Sequence, residues 1–146
     1  MKQSMDENLR KLYNAIEAKD TEQVDNALHK CFDSSFSPEY VPALIGLLGK
    51  PWHYRHEDIV RVLQQLRDSR AVDALYEEAH SEYEYLNYDD CYGLARKCTW
   101  ALADIGTPEA KVKLQQLAQE NNQLVAEYAQ KRLKNWEEEK SRKGHA

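Results

Sequence analysis

Apolar residues recur along most of this chain at spacings of three, four and seven positions, which is the spacing of one face of an α-helix. The first such stripe consists of Leu9, Leu12, Tyr13 and Ile16. Further stripes follow, and they begin at Val24, Val41, Ile59, Val72, Leu94, Ala110 and Val125. The alternation of apolar and polar positions that is typical of strands is absent. The pattern therefore predicts an all-α chain of about eight helices.

Residues that commonly start and stop helices separate the stripes. Asp20, with Gln23 three positions later, matches a capping box, and Pro108 stands at a predicted first helical position. Gly49 and Gly106 stand where two stripes end, and glycine closes many helices at this position. These signals predict short, separate helices joined by turns.

The stripes also repeat along the chain. Val41 and Leu44 share their spacing with Val72 and Leu75 of a later segment, and Trp136 falls on a predicted core position of the last repeat. Two short helices cannot bury their own apolar faces, so we expect such pairs to stack into a short α-solenoid. The predicted single domain, 1–146, divides into a capping hairpin, three helix-pair units and a frayed tail, at 2–32, 38–67, 68–105, 106–136 and 137–146.

Two segments carry a recognisable repeat pattern, LRDSRAVDALYEEA and TWALADIGTPEAKVKLQQLA. Each has an Asp or Thr cap, a following Ala and a Leu four positions beyond that Ala. The pattern resembles HEAT repeats of the short bacterial type, over residues 38–136. The resemblance implies a stack of HEAT-like helix pairs, but it leaves the function open. Such arrays serve as scaffolds, inhibitors, bilin-lyase subunits and, in one group, DNA glycosylases.

The charge balance narrows the classes of partner. The formal net charge of -5 argues against a general nucleic-acid binder, which needs a basic surface to displace counterions from phosphates. An acidic protein fits a basic protein partner better. The chain has no apolar run of membrane-spanning length and no secretory signal pattern at its start. We therefore expect a soluble cytoplasmic protein with no membrane contact, and a monomer by default.

Metal, cofactor and catalytic motifs are not found. The cysteines continue apolar stripes without a Cys-x-x-Cys spacing, which predicts reduced core thiols at Cys31, Cys91 and Cys98. His53 and His56 are three positions apart and imitate part of a metal site, but no third ligand has a suitable spacing. Glycine-rich phosphate loops and nucleophile elbows are also absent. No metal, no cofactor and no enzymatic activity are therefore expected.

The segment SEYEYLNYDD, residues 81–90, interrupts the helical pattern with three tyrosines, four carboxylates and no Lys or Arg. It lies in the middle unit, which is longer than its two neighbours by eight and seven residues, and insertions in repeat arrays fall on loops, often at the binding face. Together with nearby acids such as Glu78, its carboxylates would steer a cationic partner, and its tyrosines supply rigid contact area. The alternative is a solvated loop whose tyrosines pack on the next helix.

A second concentration of aromatic and polar side chains, KPWHYRHEDIV at residues 50–60, lies in the preceding unit. Stacking of the units is expected to bring it close to residues 81–90. Arg96 and Trp100 are expected on the exposed side of the following helix, although a core position for this Trp is equally open. The predicted partner-binding surface consists of Trp52, His53, Tyr54, His56, Glu82, Tyr83, Glu84, Tyr85, Tyr88, Asp89, Asp90, Tyr92, Arg96 and Trp100.

Size, acidity and helical repeats together resemble the immunity proteins of bacterial contact-dependent inhibition and related polymorphic toxin systems, some of which are short HEAT arrays. The resemblance implies a protein-binding inhibitor that neutralises a cognate toxin domain, often a basic nuclease, by stoichiometric binding. A general HEAT-repeat adaptor and a small HEAT-fold lyase are the alternatives.

Overall fold

The computed structural model describes residues 6–33, 36–86 and 92–138, and these ranges are helical without a strand. The helices are α1 Glu7–Ala18, α2 Thr21–Asp33, α3 Val41–Leu47, α4 His56–Leu66, α5 Val72–Glu78, α6 Gly93–Ile105, α7 Pro108–Leu117 and α8 Gln123–Lys134. Short 3-10 helices lie at Pro38–Tyr40, Ser69–Ala71 and Glu84–Leu86. The all-α prediction is confirmed.

Local side-chain bonds explain where several helices begin. The carboxylate of Asp20 accepts a hydrogen bond from the backbone N–H of Gln23 at 3.1 Å, which confirms the predicted cap of α2. The hydroxyl of Thr107 accepts from the N–H of Ala110 at 3.1 Å at the start of α7. Gly106 follows α6 with a φ of 72°, a conformation that glycine adopts without strain.

The helices form two layers. Each pair that is consecutive in sequence packs together, α1 with α2, α3 with α4, α5 with α6, and α7 with α8. Between pairs, α4 packs on α6 and α6 on α8, whereas α1 packs on α3 and α5 on α7. Since α6 contacts α4, α5, α7 and α8, it lies at the centre of the molecule. The second helices of the last three pairs thus form one row, and on the other side α1 packs on α3 and α5 on α7.

The central position of α6 explains its composition. Its buried residues cover a wider face than a single stripe, as expected for a helix with neighbours on several sides. Leu75 of α5 and Leu102 of α6 are both fully buried. Trp136 is also buried, in agreement with its predicted core position. Cys31 and Cys98 are buried free thiols, as predicted, and Cys91 lies outside the described residues.

None of the helices in the described part of the chain has the length and apolar character needed to cross a membrane.

Candidate partner-binding surface

The segments 50–60 and 81–86 meet at the start of α4, around the side chain of His56. The ring of His56 stacks between His53, with ring centroids 4.0 Å apart, and Tyr83, at 3.7 Å. Both histidines are fully buried, and Tyr83 is 7% exposed. The loop that precedes α4 and the loop that follows α5 are therefore joined through a stack of three rings.

Hydrogen bonds define the protonation of His56. Its Nε2 lies 2.7 Å from the carbonyl oxygen of Lys50, and since a carbonyl only accepts, Nε2 carries the proton and donates. Its Nδ1 lies 2.8 Å from the hydroxyl of Tyr85, which donates to it. The same hydroxyl oxygen accepts the backbone N–H of His56 at 3.2 Å. One neutral tautomer satisfies every polar atom in this set.

His53 has the same tautomer for the same reason. Its Nε2 donates to the carbonyl oxygen of Leu47 at 2.7 Å, and its Nδ1 accepts the backbone N–H of Arg55 at 3.1 Å. Burial lowers the pKa of His53. Burial, together with the neighbouring His53, lowers the pKa of His56 to about 4. Two neutral imidazoles therefore stack inside the protein at neutral pH.

Glu78, at the end of α5, is buried below the same loop and is 1% exposed. The hydroxyl of Tyr83 donates to its carboxylate, with distances of 3.1 and 3.0 Å to the two oxygens, and the hydroxyl of Ser81 lies at 3.3 Å. Burial raises the pKa of Glu78, and the hydrogen bond from Tyr83 partly opposes that effect. The sequence pattern counts Glu78 with the acidic residues of the surface, whereas the structure places it in the core.

Three predicted surface residues are also in the core. His53, His56 and Tyr83 are buried, so the expectation that they lie on an exposed surface is wrong. Hydrophobic periodicity does not reveal this, because these polar side chains are buried through partners supplied by distant residues. The predicted surface residues Tyr88, Asp89 and Asp90 lie outside the described residues.

The segment 82–85 alternates between solvent and core. Glu82 and Glu84 are exposed, whereas Tyr83 is buried and Tyr85 is half-buried. The alternative in which the tyrosines pack on the protein is therefore right for Tyr83 and Tyr85, whose rings meet that of His56 at the start of α4. The two carboxylates are held outward by neighbours that are fixed in the core.

Exposed aromatic rings flank these carboxylates. Tyr54 is 60% exposed, and its ring meets that of Tyr85 edge to face, with centroids 5.2 Å apart. Tyr92, at the start of α6, is 41% exposed. Arg96, one turn further along α6, is exposed as well. We name the set Tyr54, Glu82, Glu84, Tyr92 and Arg96 the acidic-aromatic surface.

Two tryptophans of the predicted surface are half-buried. Trp100 lies under the guanidinium of Arg132, which is 3.5 Å from the centre of its ring. Arg132 is 4% exposed, and its role in the packing of α6 on α8 has no counterpart in the sequence pattern. Trp52 belongs to the loop before α4, where its carbonyl oxygen accepts a hydrogen bond from the hydroxyl of Thr21 at 2.6 Å.

Arg55 ties the same loop to its neighbours. Its Nε lies 3.0 Å from the carboxylate of Asp25 in α2, and its guanidinium also lies 3.3 Å from Asp58 in α4. Together with the ring stack, this network holds the loop between two helices. The loop that carries Tyr54 is therefore fixed by contacts with α2 and α4.

The two histidines at this site are held by contacts within the protein. Every ring nitrogen of His53 and His56 is engaged in a hydrogen bond within the protein. In the described ranges, no group of three or more His, Cys, Asp or Glu side chains is placed to hold a metal ion. Compared with models of known protein families, with curated proteins and with solved structures, the chain matches none of them.

Proposed function

We propose that this protein is a protein-binding inhibitor that holds a basic protein on its acidic-aromatic surface. The observation that carries the proposal is the alternation at residues 82–85. Glu82 and Glu84 face solvent on a backbone whose intervening side chain, Tyr83, is locked between His56 and Glu78. A surface that is already ordered before binding loses less conformational entropy when the partner arrives.

The electrostatics of this surface favour a cationic partner. Neither Glu82 nor Glu84 has an ion pair with a described residue. No Lys or Arg occurs between Ala71 and Ala95, and Arg96 is the one cation in the set that we name the acidic-aromatic surface. Unpaired carboxylates raise the rate at which an oppositely charged protein arrives, and exposed tyrosines supply contact area once it has docked.

The specific form of inhibitor that we propose is an immunity protein with a HEAT-like helical array. In the complex of such a protein with a nuclease toxin, the carboxylates of the surface occupy the toxin site that otherwise binds nucleic-acid phosphates. The toxin therefore cannot bind its substrate. The overall negative charge and the paired helices support this form. The proposal therefore includes a nuclease toxin as the partner and the bacterial cytoplasm as the compartment.

The proposal is tested by affinity capture and a matched pair of variants. Purified protein is immobilised and exposed to extract of the source cell, and the captured proteins are identified. Glu82→Gln with Glu84→Gln removes the surface carboxylates. Glu17→Gln with Glu137→Gln removes the same charge from exposed positions elsewhere. The captured protein is then produced alone, and its binding and enzymatic inhibition are measured with each variant.

We expect to capture a basic protein that binds the wild type and the control variant and that is inhibited at a one-to-one ratio. The variant with Glu82→Gln and Glu84→Gln should neither bind nor inhibit it. Binding is also expected to weaken as salt rises, because screening shortens the reach of charges from about 10 Å at about 0.1 M to about 3 Å at about 1 M. Binding that changes neither with salt concentration nor with the substitutions Glu82→Gln and Glu84→Gln would refute the proposal.

A general adaptor is the second candidate, and a groove on the first hairpin favours it. The groove, about 500 Å³ in volume, lies between α1 and α2, with Ala15 and Ala27 in its floor and Lys11 and Lys30 at its rim. Its lysines contrast with the acidic-aromatic surface, so one chain offers two chemically different faces. An adaptor would form a ternary complex, detectable by its mass in light scattering, whereas an inhibitor would form only a binary one.

A further inference from the structure

A second recess lies beside the acidic-aromatic surface. It has a volume of about 180 Å³ and opens between the end of α5, the following loop and the starts of α6 and α8. Its apolar lining includes Ala79, Leu86, Leu94 and Val125. His53 and His56 do not line it, whereas Tyr83, the third ring of their stack, does.

The lining of the recess contains two carboxylates. Glu82 from the acidic-aromatic surface and Glu120 from the α7–α8 turn both line it, together with His80, and none of the described Lys or Arg residues does. Glu120 is held in place by His80, whose Nε2 lies 3.2 Å from its carboxylate. The other ring nitrogen of His80, Nδ1, lies 2.9 Å from the carbonyl oxygen of Tyr76, and a neutral imidazole donates to only one of these two acceptors. This wall of the recess is therefore fixed by contacts with α5.

Size and chemistry together restrict the occupant. Pockets for drug-sized ligands occupy about 300 to 1,000 Å³, so this recess is too small for most of them and better suited to one side chain. Its apolar lining suits a methylene stem, and its carboxylates suit a positive head. The exposed ring of Tyr92 also lines the recess and offers a face to a cation.

We propose that the recess between Glu82 and Glu120 receives one arginine or lysine side chain of the basic partner and anchors the complex. This inference rests on the proposed function and adds to it a specific anchoring site. Long-range steering by exposed carboxylates does not select one residue of the partner. A recess that encloses the aliphatic stem of a side chain and pairs with its charged head does select one residue. Binding energy at interfaces is commonly concentrated in such anchors.

The inference is tested with a probe that does not require the partner. Acetyl-arginine methylamide is titrated into protein carrying ¹³C-labelled methyl groups, and the resonances of Leu94 and Val125 are followed. Acetyl-citrulline methylamide, of the same shape but without charge, is the control ligand. The control variant is Glu109→Gln, at an exposed position outside the recess. The test variants are Glu82→Gln and Glu120→Gln.

We expect saturable shifts of both methyl groups with the arginine probe, none with the citrulline probe, and at least threefold weaker binding in each test variant. Because Glu82 is exposed and has no ion pair with a described residue, its variant remains informative if Glu120→Gln disturbs folding. Shifts that do not saturate, or that are equal with the two probes, would overturn the inference.

Binding experiments with the captured partner distinguish this inference from the proposed function. If a captured basic protein needs Glu84 but binds Glu120→Gln and wild type equally, the proposed function stands and the anchoring recess is wrong. If no basic protein is captured while the arginine probe binds as expected, the recess binds cations and the proposed inhibitor role is wrong.

Discussion

The imidazole of His56 lies flat against the phenol ring of Tyr83, with ring centroids 3.7 Å apart and an angle of 15° between the planes. The first residue belongs to α4 and the second to the loop that carries Glu82 and Glu84. The position of those exposed carboxylates therefore depends on a buried, neutral histidine. Stability and recognition are coupled at this contact, and the predictions below separate the two.

Acidification is expected to destabilise the fold through His56. Its pKa is lowered to about 4 in the folded protein, so the unfolded chain binds this proton more readily. The stabilisation is therefore complete above the unfolded value of about 6.5 and is lost as the pH falls towards 4. The shift corresponds to at most about 3 kcal/mol. Urea unfolding from pH 7.5 to about pH 4.5 measures it.

Two features qualify that pH profile. His53 contributes in the same direction, because its pKa is also lowered. Glu78 contributes in the opposite direction, because its raised pKa means that protonation favours the folded state as the pH falls. His56→Gln should flatten the profile, and Glu78→Gln should steepen it. His29→Gln, at an exposed position, is the control, and a profile that His56→Gln leaves unchanged would contradict the neutral stack.

Tyr83→Phe is expected to destabilise the protein because it removes a hydroxyl donor from the buried carboxylate of Glu78. Leaving a buried charged acceptor with fewer donors costs about 1 to 3 kcal/mol, and the ring itself is retained for stacking. The loss should shrink at low pH, where the carboxyl takes up a proton. Denaturant unfolding of the variant and of Tyr83→Phe with Glu78→Gln measures the coupling. Tyr54→Phe, at a residue that is 60% exposed, should change stability little.

Leu75→Ala is expected to cost about 2 to 5 kcal/mol, because the side chain is fully buried in α5 and its loss leaves a cavity. The residue belongs to the helix that packs on both α6 and α7. Val112→Ala in α7, at 47% exposure, provides a control of similar chemistry. Thermal and urea unfolding compare the two variants. A loss below about 0.5 kcal/mol for Leu75→Ala would place it among ordinary surface substitutions and contradict its burial.

Glu82→Gln with Glu84→Gln is expected to leave stability within about 0.5 kcal/mol of the wild type, since both side chains are exposed. Helicity from circular dichroism should be unchanged as well. Against a basic partner, the same pair should lower the association rate more than it raises the dissociation rate. Stopped-flow binding at two salt concentrations distinguishes these rates. A large loss of stability would mean that the carboxylates support the loop and that weaker binding reports unfolding.

Chelator is expected to leave the melting temperature unchanged. His53 and His56, the pair whose spacing imitates a metal site, use all their ring nitrogens in hydrogen bonds to protein groups. A protein stabilised by a bound metal loses that binding energy when the metal is withdrawn. Differential scanning calorimetry with and without chelator tests this expectation. A drop of several degrees would show that metal binding contributes to the stability of the fold.

Local sequence determined the helical class, several helix starts and much of the core. The cap at Asp20 and the burial of Leu75 and Trp136 follow from signals that lie within one helix or its first turn. Such signals are readable because helical periodicity and capping involve residues only three or four positions apart. They are independent of how the helices pack on one another.

Only the tertiary structure determines which polar residues are buried. His56 meets Tyr85 across 29 positions of sequence, and Arg55 reaches Asp25 across 30. A histidine or carboxylate is stable in the core only when distant groups supply hydrogen bonds that replace water, and no local pattern records that supply. For this reason His53, His56 and Glu78 looked like surface chemistry in the sequence. In the folded chain they support the loop that holds Glu82 and Glu84 in solvent.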